Sequence, residues 1–411
     1  MNRVSSPKPE VRINQYVMLA FAAYLVLPVI NQGLPAIVRI ALFLIGMIAY
    51  FTTLALTDRE GLIESVTVLL LVLLFFALSY FGSFQAATLP AYLYSNVLFW
   101  VPFLFIFNKN LTEDKAFRQR MMRFVSVLFL LTAVTTVFGL LRDPMASRYL
   151  ATGKTELYDL RSYSLQNIGG YGFVYALVLC IPIAICAHRT GKLKGYQLVL
   201  VLALFYTCIF KSQYSTAIAL SLAGLFAFFL GKGHNVMRTL FIFVSGAIVL
   251  YGIWQLLPVI VDWLTSLGKS AGFIAYRLRD TLGVIGSGGI DGLDRVQRAN
   301  MSVSIFFEHP LAGNLLAIPQ QELGGHSSIL DTLACMGLLS VPFATFFLIS
   351  YFCRFISKQV DRLAKPYVLA CFVLFLALAT VNTVFSSFTI ATVLFLLPLG
   401  IIPASSIKEQ P

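Results

Sequence analysis

The sequence predicts an all-α fold, a polytopic bundle of about twelve membrane-crossing helices with a large outer loop between the ninth and tenth. Three observations lead to this fold class. Of the 411 residues, 58% are hydrophobic and only 12% are charged, whereas soluble domains carry about 25% charged residues. The mean hydropathy of +0.83 is too high for a water-soluble fold, which could not bury so much apolar surface. The third observation is a series of apolar segments close to the roughly 20 residues that a spanning helix needs.

We predict a helix in each of these segments. They cover residues 16–30, 35–56, 62–81, 89–107, 124–141, 168–187, 196–210, 213–230, 239–257, 327–352, 367–385 and 388–404. The seventh and eighth are so close that they form either a tight helical hairpin or one interrupted helix. The predicted organisation has three parts: the first nine helices in 1–257, the outer loop in 258–326, and the last three helices with a cytoplasmic tail in 327–411.

The net charge of +12 would suggest a nucleic-acid partner in a soluble protein. In a membrane protein, basic residues mainly determine topology, because they accumulate on the cytoplasmic side. The short connections 108–123, 188–195, 231–238 and 353–366 are basic, and all fall on one side of the predicted bundle. We therefore predict that this side is cytoplasmic and that both termini lie there.

Cysteines and histidines form no metal-binding pattern in the sequence. The six cysteines fall in or beside apolar segments without a CxxC spacing, so we interpret them as small apolar residues. His188 and His234 map to cytoplasmic loops and cannot join His326. The sequence also has no Gly-rich phosphate loop, GxSxG motif or zinc spacing. We predict neither a metal ion nor a cofactor.

Several basic residues nevertheless map to the predicted outer face. Among them are Arg161, Lys211, Arg295 and Arg298, and Arg39 falls in the outer half of the second predicted helix. The topology rule predicts few basic residues there. Either they bind an anionic ligand, or their long loops were translocated regardless of charge.

The long outer loop has an internal pattern. Residues 259–285 are apolar with interspersed basic residues, which predicts an amphipathic helix along the membrane interface. Gly-Ser-Gly-Gly at 286–289 then interrupts the chain. A second helix is predicted from Leu293 to Glu308. Pro310 and Gly313 then end it.

Arg295, Arg298 and Ser302 recur at helical spacing on this second helix and therefore share one face. The planar guanidinium group binds diphosphates and carboxylates through two parallel hydrogen bonds and keeps its charge. The pair could thus bind such an anion. The alternative is a solvated helix face, and for Arg298 alone that alternative is the favoured one.

His326 follows two glycines, Gly324 and Gly325, at the predicted outer mouth of the tenth helix. The glycines allow the backbone to turn tightly into that helix. An imidazole in this position can accept or hold a proton near neutral pH. The alternative is a capping or surface histidine.

Three stretches together resemble the Wzy and WaaL group, the bacterial O-antigen and capsule polymerases and O-antigen ligases. The arginine-bearing helix ends in His-Pro-Leu-Ala-Gly at 309–313, similar to the family's His-Pro-Leu-x-Gly. Residues 324–339 resemble the His-Asn-x-x-Leu…Gly-Leu signature, with His326 as its histidine. Residues 161–167 are similar to the arginine-to-asparagine stretch before the sixth helix.

The chain also departs from the family pattern. Ser327 stands where asparagine is frequent and Asn314 where glycine is common. The Ser-Arg usual between the seventh and eighth helices has no arginine here, and Lys211 is the nearest cation. Ligases often have a second histidine at the position of Gly324, which favours a polymerase over a ligase.

The resemblance implies a metal-independent glycosyltransferase of the bacterial inner membrane. It implies transfer of an undecaprenyl-diphosphate-linked glycan to a sugar hydroxyl of another lipid-linked repeat unit on the periplasmic face. Arginines would stabilise the charge of the departing diphosphate. The implied partners are the lipid-linked oligosaccharide, membrane lipid and a chain-length regulator, with no nucleic acid. The implied residues are His326 and Arg295 for catalysis, and Arg161, Arg298, Arg39 and Lys211 for the diphosphate.

Three alternatives remain open from the sequence. An O-antigen ligase would transfer the glycan to lipid A core. A lipid-linked glycan flippase or secondary transporter would place ionisable residues at mid-membrane and show repeated halves, whereas the predicted spans hold almost no acidic residues. A non-enzymatic assembly partner would tolerate substitution of the arginines.

Overall fold

The computed structural model describes residues 8–83, 88–152, 156–231, 236–266 and 290–401, and every regular element in these ranges is helical. This confirms the predicted all-α class for the described part of the chain. The first nine helices are α1 (Pro9–Val26), α2 (Pro28–Asn31), α3 (Ala36–Thr57), α4 (Arg59–Gly82), α5 (Leu89–Phe105), α6 (Lys109–Thr112), α7 (Lys115–Arg142), α8 (Ala146–Thr152) and α9 (Leu157–Leu165). The next nine are α10 (Tyr171–Arg189), α11 (Gly195–Ser212), α12 (Ser215–Gly224), α13 (Val236–Ser266), α14 (Ile290–Glu308), α15 (Ser328–Met336), α16 (Val341–Ile349), α17 (Lys365–Val381) and α18 (Phe388–Phe395).

Several of these helices are suited to a membrane. Within the described ranges, 6 helices are long and apolar enough to cross a bilayer: α3, α4, α7, α10, α11 and the composite segment Ser328–Gln359. Shorter apolar helices occur at Leu89–Phe105, Ser215–Phe229, Met237–Gly246, Lys365–Val381 and Phe388–Gly400. The chain is therefore a helical membrane protein by length and composition, while the count of twelve crossings, the sidedness and the outer loop remain predictions.

Burial separates peripheral helices from a central one. On α3, the side chains of Ile37, Ile48 and Leu56 are 82%, 67% and 69% exposed, as lipid-facing apolar residues must be. In contrast, 78% of the apolar window of α10 is buried. This helix packs against α11, α12, α17 and α18, so it forms the centre of the bundle.

The helix ends meet in two groups, as alternating helices require. At one end, Asp58 accepts hydrogen bonds from the backbone N–H of Gly61 (3.0 Å) and of Lys109 (2.9 Å). Arg354 forms a bidentate ion pair with Glu64 at the same end. Two of the basic connections predicted to be cytoplasmic, 108–123 and 353–366, meet here, since Arg118 donates to the Gln359 carbonyl at 3.0 Å. The opposite end of the bundle contains the C-terminus of α4 and the N-termini of α10, α12 and α15. It is called the site end below.

The seventh and eighth predicted segments form a helical hairpin. The helix α11 ends at Ser212, and Gln213 takes a left-handed conformation with φ +60°. The Tyr206 hydroxyl donates a hydrogen bond of 2.7 Å to the Ser221 carbonyl across the pair. These residues lie at similar distances before and after the turn, so α11 and α12 run antiparallel.

Several segments differ in length or continuity from the simple spans that the sequence suggests. The tenth consists of α15, a 3-10 turn at Gly337–Ser340, α16 and a π-helix at Ser350–Gln359. The helix α13 continues to Ser266 and so includes the first residues of the predicted amphipathic segment. The remainder of that segment, 267–285, and the Gly-Ser-Gly-Gly interruption at 286–289 lie outside the described residues.

Candidate functional site

His326 lies at the site end, on the turn that leads into α15. Ser327 caps this helix, because its hydroxyl accepts a hydrogen bond of 3.0 Å from the backbone N–H of Leu330. Gly325 has φ +70°, a conformation that side chains other than glycine rarely adopt. The His326 ring is half-buried and forms part of a cavity wall.

Gly324 is required for a different reason, which is close packing. A Cβ atom on this residue would lie 2.0 Å from the Arg298 carbonyl oxygen of α14. No side chain fits between α14 and the histidine turn at this point. The two glycines were predicted to permit a tight turn, and Gly325 has this role. Gly324 instead allows the arginine-bearing helix to contact the turn.

The Asp331 carboxylate holds the histidine turn and α14 together. Its Oδ1 accepts hydrogen bonds from the Ser302 hydroxyl (2.6 Å) and from the Gly325 N–H (3.2 Å). Its Oδ2 accepts one from the Ser327 N–H at 3.0 Å. The Gly324 N–H in turn donates to the Ser302 hydroxyl at 3.1 Å. His326 is therefore flanked on both sides by backbone groups fixed through one carboxylate.

The arginine-bearing helix was predicted from Leu293 to Glu308 and is observed as α14. Arg298 lies beside the histidine turn and lines a cavity. It is therefore closer to His326 than a residue on a purely solvated helix face would be. Arg295 belongs to α14 one turn earlier in the backbone. The prediction for its side chain falls outside the described part of the chain.

Two further motif segments contact each other through their backbones. The Leu338 N–H donates to the Pro310 carbonyl at 2.8 Å. Gly313 has φ +57° and Gly337 has φ +55°. A Cβ on Gly313 would lie 2.7 Å from the Gly337 nitrogen. The His-Pro-Leu-Ala-Gly segment and the Gly-Leu segment are therefore joined by a contact that only glycines permit.

Asn314 connects these segments to α4. Its side-chain amide is fully buried and donates to the carbonyls of Gly82 and Gln321, both at 2.8 Å. Its Oδ1 accepts from the Gln321 N–H at 2.8 Å. Asn314, at a position where the resembled group commonly has glycine, thus supplies a clamp of three hydrogen bonds.

Replacing Asn314 with alanine is expected to lower the free energy of unfolding by about 3 kcal/mol, because one buried and two partly buried backbone groups lose their partner. Thermal unfolding can be followed with a thiol-reactive dye, since Cys353 is exposed and the other cysteines are buried. Cys353→Ser would serve as the background. The exposed Asn300→Ala is the matched control, and equal midpoints for the two variants would refute the clamp.

A polar cavity, called the histidine cavity below, opens beside His326. It has a volume of about 520 Å³, within the range of small-molecule sites. Residues from six separate parts of the chain line it. They include Arg148, Tyr171, Gln213, Tyr214, His326 and Asn382.

A second polar cavity of about 520 Å³, called the arginine cavity below, lies on the other side of the histidine turn. Its lining includes Ser79, Tyr92, Ser95, Asn96, Arg298 and Asp331. Gly325, Thr383 and Ser386 belong to the walls of both cavities. The turn that carries His326 and the 382–387 connection therefore form the partition between them.

The arginine cavity continues into an apolar groove of about 300 Å³. The cavity and the groove share Phe75, Ser328, Thr332 and Phe385. The groove itself is lined by apolar side chains of α4, α5, α16 and α17. A ligand with a polar head and an apolar tail would match this sequence of surfaces.

The other predicted cations lie around the histidine cavity rather than inside it. Arg161, which is exposed, donates from Nε to the Gly33 carbonyl at 3.1 Å. Arg39 donates to the Asn31 carbonyl at 2.8 Å. Lys211 is exposed near the end of α11. None of these three is among the residues that line the described cavities.

The segment that carries Arg161 is fixed to the end of α7. Tyr163 on α9 donates a short hydrogen bond to the Asp143 carboxylate. This hydrogen bond raises the pKa of Tyr163 to about 12, so the phenol keeps its proton at neutral pH. The neighbouring arginine is thereby held at the margin of the site end.

Sequence reasoning missed several residues of the site. Arg148, Tyr214 and the 382–387 connection line the histidine cavity, and Asp331 organises the turn. The Tyr214 hydroxyl donates to the Ser147 carbonyl at 2.7 Å, which joins the α11–α12 turn to α8. Two of them had a signal in the sequence: Asp331 as an acid in the first turn of a helix preceded by serines, and Arg148 as a basic residue of the predicted outer face.

The described residues contain no group of three or more His, Cys, Asp or Glu side chains that could hold a metal ion. The chemical groups that line the two cavities are an imidazole, guanidinium groups, carboxylates, hydroxyls and amides. Comparison of the chain with protein-family models, with curated proteins and with solved structures finds no match. The resemblance of the sequence motifs to a family therefore stays a prediction.

Proposed function

We propose that this protein is a polysaccharide polymerase of the bacterial inner membrane, with the site end on the periplasmic face. It transfers a glycan from undecaprenyl diphosphate to a sugar hydroxyl of another lipid-linked repeat unit. The observation that carries the proposal is the position of His326 in one of two polar cavities that its turn separates, the other of which continues into an apolar groove. A lipid-linked donor needs such a combination of surfaces.

In the proposed reaction, the acceptor hydroxyl oxygen attacks the anomeric carbon of the donor sugar. The bond from that carbon to the diphosphate oxygen breaks, and the diphosphate leaves with the electron pair. His326 orients the hydroxyl and accepts its proton. Arg298, with Arg295 on the same helix, stabilises the negative charge on the departing diphosphate.

The tight packing of Gly324 supports the choice of polymerase over ligase. Ligases of the resembled group often carry a second histidine at this position, whereas here even a Cβ would lie 2.0 Å from the Arg298 carbonyl oxygen. A second imidazole could enter only if α14 moved away from the turn.

A deletion strain distinguishes the two transfer reactions. If the proposal is right, lipopolysaccharide from cells without this gene will carry single repeat units on lipid A core, or the corresponding capsule will be missing with core intact. Complete loss of repeat units from the core would indicate a ligase. An unchanged ladder of chain lengths would contradict both.

Arg295→Ala is expected to abolish polymer, because the proposed diphosphate site loses a fixed positive charge. Arg295→Lys should retain part of the activity, since it keeps the charge but loses the bidentate geometry. Polymer length in cells expressing each variant at equal membrane levels is the measurement. Full-length polymer with the alanine variant would remove Arg295 from the mechanism.

A further inference from the structure

The histidine cavity contains two buried amide side chains with an unpaired polar atom. Asn31 is 5% exposed and Asn382 is 7% exposed. Among the described residues, neither Asn31 Oδ1 nor Asn382 Nδ2 has a hydrogen-bond partner. An unpaired buried donor or acceptor costs about 1–3 kcal/mol, so such a group in the wall of a cavity favours a ligand that supplies its missing partner.

Both amides lie in the wall of the histidine cavity. The rest of Asn31 is well satisfied, since its Nδ2 donates to the Tyr24 carbonyl at 2.9 Å. The backbone of Asn382 is likewise fixed, because its N–H donates to Leu378 at 2.9 Å and its carbonyl accepts from Ser328 at 3.1 Å. The two residues that carry the unpaired atoms are therefore held in place beside the cavity by hydrogen bonds.

Three tyrosine rings form a cluster in the same wall. Tyr171 lies 4.6 Å from Tyr175 and 5.7 Å from Tyr214 between ring centroids, and Tyr175 lies 5.9 Å from Tyr214. Aromatic rings offer flat apolar surfaces next to polar groups. The apolar C–H face of a sugar ring packs on such a surface while its hydroxyls meet amides at the edge.

We propose that the histidine cavity is a carbohydrate subsite, in which Asn31 and Asn382 bind sugar hydroxyl or acetamido groups and the tyrosine cluster supports the ring. This inference rests on the proposed function and assigns one part of the substrate to each side of the histidine turn. The lipid and diphosphate occupy the arginine cavity and its groove, and the sugar that reacts occupies the histidine cavity. His326 then lies where the two meet.

Saturation-transfer NMR on the full chain in lipid nanodiscs tests this assignment. The probes are methyl β-D-glucopyranoside and methyl N-acetyl-β-D-glucosaminide. We expect saturation transfer to at least one probe, and an affinity about tenfold lower in Asn382→Leu, as expected for one lost hydrogen bond. The exposed Asn300→Leu on α14 is the matched control and should bind as the wild type does.

Thermal stability separates ligand binding from a structural role. Because leucine is similar in size to asparagine and leaves no unpaired donor, Asn382→Leu should unfold at the same temperature as the wild type or higher. A lower midpoint would show that Asn382 stabilises the fold, and unchanged sugar binding by the variant would show that water satisfies the amide. Either result overturns the subsite.

The outcome is distinguishable from failure of the proposed function. If the wild type binds neither sugar yet lengthens a lipid-linked glycan, the subsite assignment is wrong and the polymerase proposal stands. If the wild type binds sugar but performs no transfer, the polymerase proposal is wrong and the assignment of a sugar subsite stands.

Discussion

His326→Ala is expected to reduce glycan transfer by roughly 100- to 10,000-fold, the usual contribution of a general acid or base. In cells this loss would remove polymer altogether. The expectation follows from the place of the ring, half-buried on a turn whose flanking N–H groups are held by Asp331. The fall should appear in kcat, because the imidazole acts on the reacting hydroxyl.

Protein folding should be unaffected by this substitution, since the His326 ring faces a cavity rather than the packed core. His188→Ala provides the control, because His188 belongs to the opposite end of the bundle and contacts the Leu193 carbonyl there. Equal membrane levels of both variants, with polymer lost only in His326→Ala, is the predicted pattern. Normal polymer from His326→Ala would contradict the catalytic assignment.

Asp331→Ala should also lower glycan transfer strongly, although Asp331 is a positioning residue. Removing the carboxylate leaves the N–H groups of Gly325 and Ser327 and the Ser302 hydroxyl without their acceptor. The histidine turn would then be free to move relative to α14. We expect kcat to fall roughly 10- to 100-fold, since misplacing a reacting group by about 1 Å costs on the order of 100-fold.

Hydrogen exchange provides the readout that a general loss of stability would not reproduce. The amides of Gly325 and Ser327 should exchange faster in Asp331→Ala, while those of α10 remain protected. Glu308→Gln is the matched carboxylate control on the neighbouring helix, where hydrogen bonds from Gln321 and Ser304 lower the pKa of Glu308. If Asp331→Ala keeps wild-type kcat, the carboxylate does not position His326.

Double substitution of Asp331 and Ser302 should be less than additive, because both belong to one hydrogen-bonded unit. Ser302→Ala alone should lower kcat in the same direction, since the Gly324 N–H also depends on that hydroxyl.

Helices were the most predictable part of this molecule. Each of the twelve apolar segments contains a helix, because long apolar stretches have one way to satisfy their backbone in a membrane. The interruptions of the tenth segment were less visible, since Gly337 takes φ +55° to meet the Pro310 carbonyl. That contact depends on a partner far away in the sequence.

The site was predictable only where it lies in one stretch of sequence. Gly324, Gly325 and His326 are consecutive, so their turn could be inferred from local chemistry. The Asn314 clamp joins residues 232 positions apart, and the histidine cavity is built from distant loops that include Arg148 and Asn382. Such contacts arise from tertiary packing, and no local sequence pattern predicts them.

Transfer by the purified protein in lipid nanodiscs tests the central claim most directly. The substrate is a single glycan repeat unit on undecaprenyl diphosphate, which serves as both donor and acceptor. We predict products lengthened by whole repeat units, with release of one undecaprenyl diphosphate per unit added, and no such products with His326→Ala. Movement of unmodified lipid-linked glycan across the bilayer without any lengthening would contradict the account and indicate a transporter.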